Sequence, residues 1–182
     1  HSFLSCLEDK PNNKALFRMQ SQPSPFVNKQ ASTPEDLRAA QRVRYDVFVT
    51  ELGGDGPDVD HENRLETDKF DPHFDHLLLI DEAASPDILG GVVGVYRLLR
   101  QDQADIVGQF YSEDEYDLTV LKNSGRKLLE LGRSCLRPEY RGSTAMYHLW
   151  HGLTDYVLAH EIEILFGVAS FHGVDPHDFA GP

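Results

Sequence analysis

Cysteine is scarce in this sequence. The 182 residues hold two, Cys6 and Cys135, far apart and in no pattern, so a reducing, cytoplasmic setting is the simpler reading. Long apolar runs are missing too. The longest clean one, Leu77-Leu78-Leu79-Ile80, is strand-sized, against the ~20 residues that a bilayer span needs. His1–Lys10 lacks a basic start followed by an apolar stretch, so no signal peptide is read there. Position 1 is not Met, and the native start is expected upstream. Positive charge is in deficit. The formal net charge of −13 argues against nucleic acid, because neutralising phosphates needs a basic face. Internal repeats and low-complexity tracts are absent.

What is present is an ordinary globular balance, 40% apolar and 26% charged residues. The length suits one domain, in which roughly 70% of the unfolded chain's surface can be buried. Charge is segregated along the chain. From Glu51 to Asp75 nine acids face Arg64 and Lys69, whereas from Lys122 to Arg141 six bases face Glu130 and Glu139. One stretch would draw cations and the other anions, or both are solvated faces with no ligand.

Residues 1–31, with Pro11, Pro23 and Pro25, read as an irregular arm, and 32–182 as the folded domain. Thr33 caps a helix with Pro34 at its first position, and Glu35 and Asp36 favour the positive end of its dipole. Gly53-Gly54 stops that helix. His76–Asp81 and Gly91–Leu99 predict an antiparallel hairpin turning at Ala84–Asp87. Ser112 with Glu115 is a capping-box pattern for a short helix toward Leu121. Lys127–Leu136 predicts a strand, Thr144–His160 a helix through Met146, Leu149, Leu153, Tyr156 and Val157, and Ile162–Ala169 a further strand. This order implies an α+β fold, a largely antiparallel sheet carrying helices. The unit from 127 to 169 should be a right-handed parallel crossover.

The turn Arg137-Pro138-Glu139-Tyr140-Arg141-Gly142-Ser143-Thr144 follows an apolar strand and opens a helix. Backbone N–H groups at a helix N-terminus bind anions, and Arg141 adds a forked donor. A strand–helix turn with a solvent arginine is the plainer alternative. "RPEYRG" in this context resembles the acyl-carrier pyrophosphate loop of GNAT acyltransferases, although Thr144 and Met146 stand where small residues are typical. The series Arg44-Tyr45-Asp46-Val47-Phe48, Asp68-Lys69-Phe70-Asp71, Arg97-Leu98-Leu99 and Glu130-Leu131-Gly132-Arg133 resembles that of acyl-homoserine-lactone synthases, which are GNAT relatives. "FDHLLLID", "GVYRLL", "FYSEDEYDL", "LELGRSCLRPEYR", "LWHGLTDYV" and "LFGVASFHGVDP" resemble more closely the hemolysin-like L-ornithine N-alpha-acyltransferases of bacterial ornithine-lipid synthesis. The resemblance runs from about Arg42 to Pro176. Members of that family continue further, so residues beyond Pro182 are expected.

The resemblance implies a GNAT-type α/β/α sandwich with a mixed, mostly antiparallel sheet. It also implies an enzyme that moves a 3-hydroxyacyl group from acyl carrier protein to the α-amine of L-ornithine, forming lyso-ornithine lipid. No permanent cofactor is implied, and the donor is the 4′-phosphopantetheine thioester of the carrier, or CoA. Arg44, Phe48, Asp68, Asp71, Arg97 and Arg133 would shape the acceptor site, or fasten the first helix to the sheet. Cys135, Leu136, Arg137, Arg141, Gly142, Ser143 and Thr144 would hold the pantetheine arm. The acidic carrier would dock on the 122–141 bases, and the 51–75 acids would attract ornithine's amines. An amphiphilic product is compatible with peripheral contact at the inner membrane surface, though no amphipathic membrane helix is evident.

Aminolysis of a thioester needs a neutral amine, a stabilised oxyanion and a leaving thiolate. Backbone N–H groups at a strand bulge can serve the oxyanion. Glu130 is the candidate to receive the amine's proton, directly or through water, or to position the amine. Its alternative is a structural ion pair with an arginine such as Arg97. Ser134 and Cys135 lack a partnered His and Asp, and Cys135 reads as an inert buried thiol. The pairs His148/His151 and His73/His76 have no recognisable third ligand, and no metal is expected. His172 and Asp175 follow the last strand without a defined role. The competing readings are a GNAT enzyme using acyl-CoA or another amine, and a non-catalytic acyl-carrier-binding module.

Overall fold

The computed structural model describes residues 24–168. β1 (Phe26–Gln30) leads into helix α1 (Pro34–Arg44), whose axis continues as a π-helical turn over Tyr45–Glu51. A small hairpin, β2 (Val59–Asp60) and β3 (Leu65–Glu66), precedes β4 (Asp75–Asp81) and β5 (Val92–Arg100). Then come α2 (Gln101–Val107), α3 (Thr119–Lys122), β6 (Leu128–Leu136), α4 (Ala145–Ala159) and β7 (Ile164–Gly167).

The five long strands form one sheet in the order β1-β4-β5-β6-β7. All neighbours are antiparallel except β6 and β7, which α4 joins in the parallel pairing expected of a strand–helix–strand unit. Helices cover both faces. Alternation along β4 assigns them: Leu77 and Leu79 pack with Leu149 and Tyr156 of α4, and Leu78 packs with Ala39, Ala40 and Val43 of α1. A third cluster, Phe70, Phe74, Phe110, Leu118 and Leu128, closes the end of the sheet near α2 and α3. The layered α+β sandwich is as the sequence implied.

The α1 start is as read. Thr33 Oγ1 accepts from the Asp36 amide at 3.1 Å while Asp36 Oδ2 accepts from the Thr33 amide at 3.3 Å, a reciprocal cap. The stop is also where the glycines lie. Gly53 has φ +72°, and its N–H reaches Val49 O at 3.0 Å while Gly54 N–H reaches Phe48 O at 2.8 Å.

Two readings need correction, and two elements are additions. The arm is not irregular to residue 31, because β1 pairs along β4 from Phe26↔Asp81 to Gln30↔Leu77. Its short, mostly exposed edge position gives a weak periodic signal. Neither the β2–β3 hairpin within the 51–75 acidic stretch nor α2 was anticipated. The Ser112/Glu115 capping box does not form. Glu113 Oε2 accepts from the Phe110 amide at 2.7 Å instead, and Ser112 is drawn to Glu130. The early arm with Cys6, the final residue of the Ile162–Ala169 strand, and His172 and Asp175 lie outside the described residues. Among the described residues, no helix is long and apolar enough to cross a membrane.

Candidate active site

A cavity of about 810 Å³ opens beside β6. Phe48 of the π turn and Leu52 just past it form one wall, Leu165–Gly167 of β7 and the adjoining Val168 the other, and Leu131–Ser134 of β6 the floor, with Asp55 and Glu66 adding carboxylates.

The floor is a β-bulge. Register runs Val95↔Cys135 and then Arg97↔Gly132, so Arg133 and Ser134 share one opposing residue, Tyr96. Arg133 takes φ +49°, a left-handed conformation unusual for a non-glycine residue. On its other side β6 is paired with β7 only as far as Leu131↔Gly167. The bulged residues therefore stand outside both ladders and face the cavity.

A buried ion cluster lies behind that floor. Arg44, fully buried on α1, bonds Glu66 Oε2 through Nε at 2.5 Å, and Asp71 through Nη1 and Nη2 at 2.9 and 2.8 Å. Arg97 on β5 bonds Asp68 and, at 3.0 Å, Asp71 Oδ1. Arg133 Nε bonds Glu66 Oε1 at 3.0 Å. Three arginines thus meet three carboxylates, which makes so dense a charge cluster tolerable inside the protein. Burial opposes the ionisation of Asp71, but hydrogen bonds and charge from Arg44, then Gln41 and Arg97, outweigh it and hold the carboxyl well below the usual carboxylate range.

The structure brings the expected acceptor residues together unevenly. Arg133 and Phe48 line the cavity, with the Arg133 guanidinium 5.8 Å from the Phe48 ring. Arg44, Arg97, Asp68 and Asp71 are one layer back and do join α1 to the sheet. Glu66 was counted among the acids but not singled out, although it bridges Arg44 to Arg133.

Glu130 is not where a base open to an amine would stand. Its side chain is 1% exposed and outside the cavity lining. Its Oε2 accepts from the Tyr111 amide at 2.7 Å, and its Oε1 accepts from the Ser112 amide at 2.8 Å and from the Ser112 hydroxyl. The alternative pairing with Arg97 is also absent. Glu130 instead anchors the 110–114 turn, which sets the Tyr111 ring 5.4 Å from the Arg97 guanidinium and 5.7 Å from that of Arg133. No sequence spacing links 130 to 111.

Beyond the bulge, β6 ends at the expected loop. Arg141 forks onto Glu51 with bonds of 2.6 and 2.7 Å and also caps Leu136 O at 3.0 Å. Arg137 bonds Asp46 at 2.6 Å. Gly142 has φ +75°, and Ser143 Oγ accepts from the Ala145 amide at the start of α4 at 3.1 Å. The segregated charges are therefore partly paired with each other, through Arg141–Glu51 and Arg133–Glu66. Cys135 points away from the cavity into the α1-facing core. Burial pushes its thiol up to about 12. His148 pairs with Ser24 and His151 with Asp155, while His76 is buried and donates to Asp71 O.

The family model for the acetyltransferase (GNAT) domain matches residues 43–151, from the end of α1 into α4, a span that includes the β6 floor of the cavity but not its β7 wall. The chain belongs to the GNAT acetyltransferase family. Within it, an L-ornithine N(alpha)-acyltransferase of Rhodobacter capsulatus is 59% identical over 157 residues, 86% of this chain and 61% of that protein. One of Brucella abortus is 42% identical over 148 residues, 80% and 53%. The chain thus spans between half and two thirds of the length of these relatives. Among solved structures, the acyl-homoserine-lactone synthase LasI superposes with a TM-score of 0.52 at 17% identity, over 78% of this chain and 71% of that one. This likeness shows a shared GNAT fold.

Proposed function

We propose that this GNAT domain transfers a 3-hydroxyacyl group from the pantetheine thioester of acyl carrier protein to the α-amine of L-ornithine, forming lyso-ornithine lipid. The observation that carries the reading is the β6 bulge, which sets Arg133 and Ser134 on the floor of a cavity that Glu66 of the ion cluster also lines. The names of the relatives support ornithine as the acceptor.

The residues divide the work. The phosphate of the donor's arm takes the helix start at Ser143–Ala145, with Arg141 exchanging Glu51 for it. Phe48, Leu52, Leu131 and Leu165 give the acyl chain an apolar lining. Asp55, a carboxylate on the cavity lining, draws the acceptor's ammonium group in. The neutral α-amine attacks the thioester carbonyl, the C–N bond forms, and backbone N–H groups freed at the bulge stabilise the oxyanion. The C–S bond then breaks, and the thiolate leaves with the proton that nitrogen sheds. Release of so amphiphilic a product suits the inner membrane surface.

Thiol release from hydroxyacyl-carrier protein, followed with ornithine, lysine, glycine or no amine, tests the reading. Ornithine-dependent release is expected. Release that ignores the amine, or that occurs only from acyl-CoA with other amines, would overturn it.

A further inference from the structure

Gly132 holds an unusual place on the cavity floor. It pairs opposite Arg97 across the β5–β6 ladder, one residue before the bulge. Its φ lies outside the left-handed region, so backbone geometry does not demand glycine. A Cβ built there would meet a single heavy atom within 4 Å, the Nε of Arg97 at 3.8 Å. The missing side chain therefore leaves a small recess in the wall of the cavity, with a guanidinium nitrogen at its back.

That nitrogen lacks a partner. Arg97 is 1% exposed, and its Nη1 is committed to Asp68 and Asp71. Its Nε is buried and bonds nothing. A buried N–H of a charged group left unpaired is costly. Asn28 Oδ1, His76 Nδ1 and Arg137 Nε share that condition, but none of these residues lines the cavity. Arg97 Nε alone among them lies against a cavity-lining residue without a side chain.

We propose that this recess, backed by the Nε–H of Arg97, receives the α-carboxylate of the acceptor amino acid. The inference rests on the acceptor reading above and specifies its geometry. The recess has the width of one side chain, which suits a planar carboxylate, and its donor is cationic, which favours an anion. Arg133, next along the strand and lining the cavity, adds positive charge on the same side. An α-carboxylate seated at Gly132 puts the α-amine one carbon away, over the bulge at 133–134. The side-chain amine of ornithine then points off toward Asp55. The recess would thus decide which of ornithine's two amines is acylated.

The test uses the full chain with hydroxyacyl-carrier protein as donor and compares ornithine with ornithine amide. Replacing the carboxylate by a carboxamide should lower kcat/KM about ten- to hundredfold, the loss of one charge-assisted bond. Gly132→Ala should raise the KM for ornithine, leave the donor KM in place, shrink the preference over the amide, and admit acylation at the side-chain amine, read by mass spectrometry of the product. The added methyl makes only an ordinary van der Waals contact, at 3.8 Å from Arg97 Nε, so the melting temperature should hold. Calorimetry of ornithine and its amide reads the recess independently of turnover. Equal use or equal binding of the two ligands by the wild-type protein overturns the proposal, as does a Gly132→Ala variant that keeps the preference. Absence of turnover with ornithine, alongside carboxylate-dependent binding, would sink the proposed reaction and leave the subsite standing.

Discussion

Arg141 and Glu51 lie far apart in sequence and close on each other through two parallel bonds, Nη1 to Oε1 at 2.6 Å and Nη2 to Oε2 at 2.7 Å. The pair ties the loop after β6 to the end of the π turn. It also occupies the forked donor that an anionic arm would need, so ligand and carboxylate compete for one guanidinium. Glu51→Gln is expected to lower the donor KM a few-fold by freeing Arg141, and Arg141→Ala to raise it. In the double variant Glu51→Gln should have no further effect. Steady-state kinetics on the four proteins checks this, and an unchanged donor KM in Glu51→Gln would remove Arg141 from the phosphate.

Removing one member of the buried cluster leaves a charge without its partner. Arg44→Ala exposes Glu66 and Asp71 to each other inside the core, and a loss of about 3–5 kcal/mol is expected. At this chain length each kcal/mol moves the melting temperature by roughly 2–4 °C. Scanning calorimetry reads the change.

Asp71 gives the cluster a pH signature. Its folded carboxyl titrates below its unfolded value of about 3.9. The resulting stability is complete above that unfolded value and is lost as pH falls through the lower folded one. Urea midpoints measured from about pH 6 down to pH 2 should decline on the acid side, and Asp71→Asn should flatten part of that decline while lowering stability near neutrality.

Glu130→Gln is expected to act through the 110–114 turn. An amide nitrogen placed against the Tyr111 and Ser112 N–H donors leaves at least one of them unsatisfied, at about 1–3 kcal/mol. Exchange of those two amides with solvent, followed by hydrogen–deuterium exchange, should accelerate. Unchanged protection would mean that the carboxylate is not what holds the turn.

Cys135 should resist alkylation in the folded protein, since its thiol is buried and titrates near 12. In a Cys6→Ser background, labelling at Cys135 should track global unfolding in denaturant. Rapid labelling under native conditions would contradict its place in the core.

The parts of the fold legible in the sequence are those set by local chemistry. Thr33, Pro34 and Asp36 write the start of α1 within four residues, and the Val- and Leu-rich stretches of β4, β5 and β6 announce themselves by composition. The arginine and aspartate cluster was legible as a group because its members recur in a motif series. What stayed hidden depends on partners distant in the chain. β1 is a strand because β4 offers it an edge, not because its own residues insist on it. Ser112 looked like a helix cap until Glu130, on another strand, claimed its amide and hydroxyl. The bulge at Arg133 is a mismatch between two strands and has no signature in either alone. Glu66 sits among other acids, and only the folded hairpin shows which one reaches both Arg44 and Arg133.

The π turn at Tyr45–Glu51 carries its own consequence. Its hydrogen bonds close over one more residue than those of the α-helix feeding it, and that surplus sets the rotational phase of Phe48, Glu51 and, just past it, Leu52. Deleting a single residue in this span would let the helix relax to ordinary pitch and swivel all three out of position together. The loop after β6 would lose its tether at the moment the cavity lost its wall. Helical phase, rather than any one side chain, keeps the two halves of the site in step.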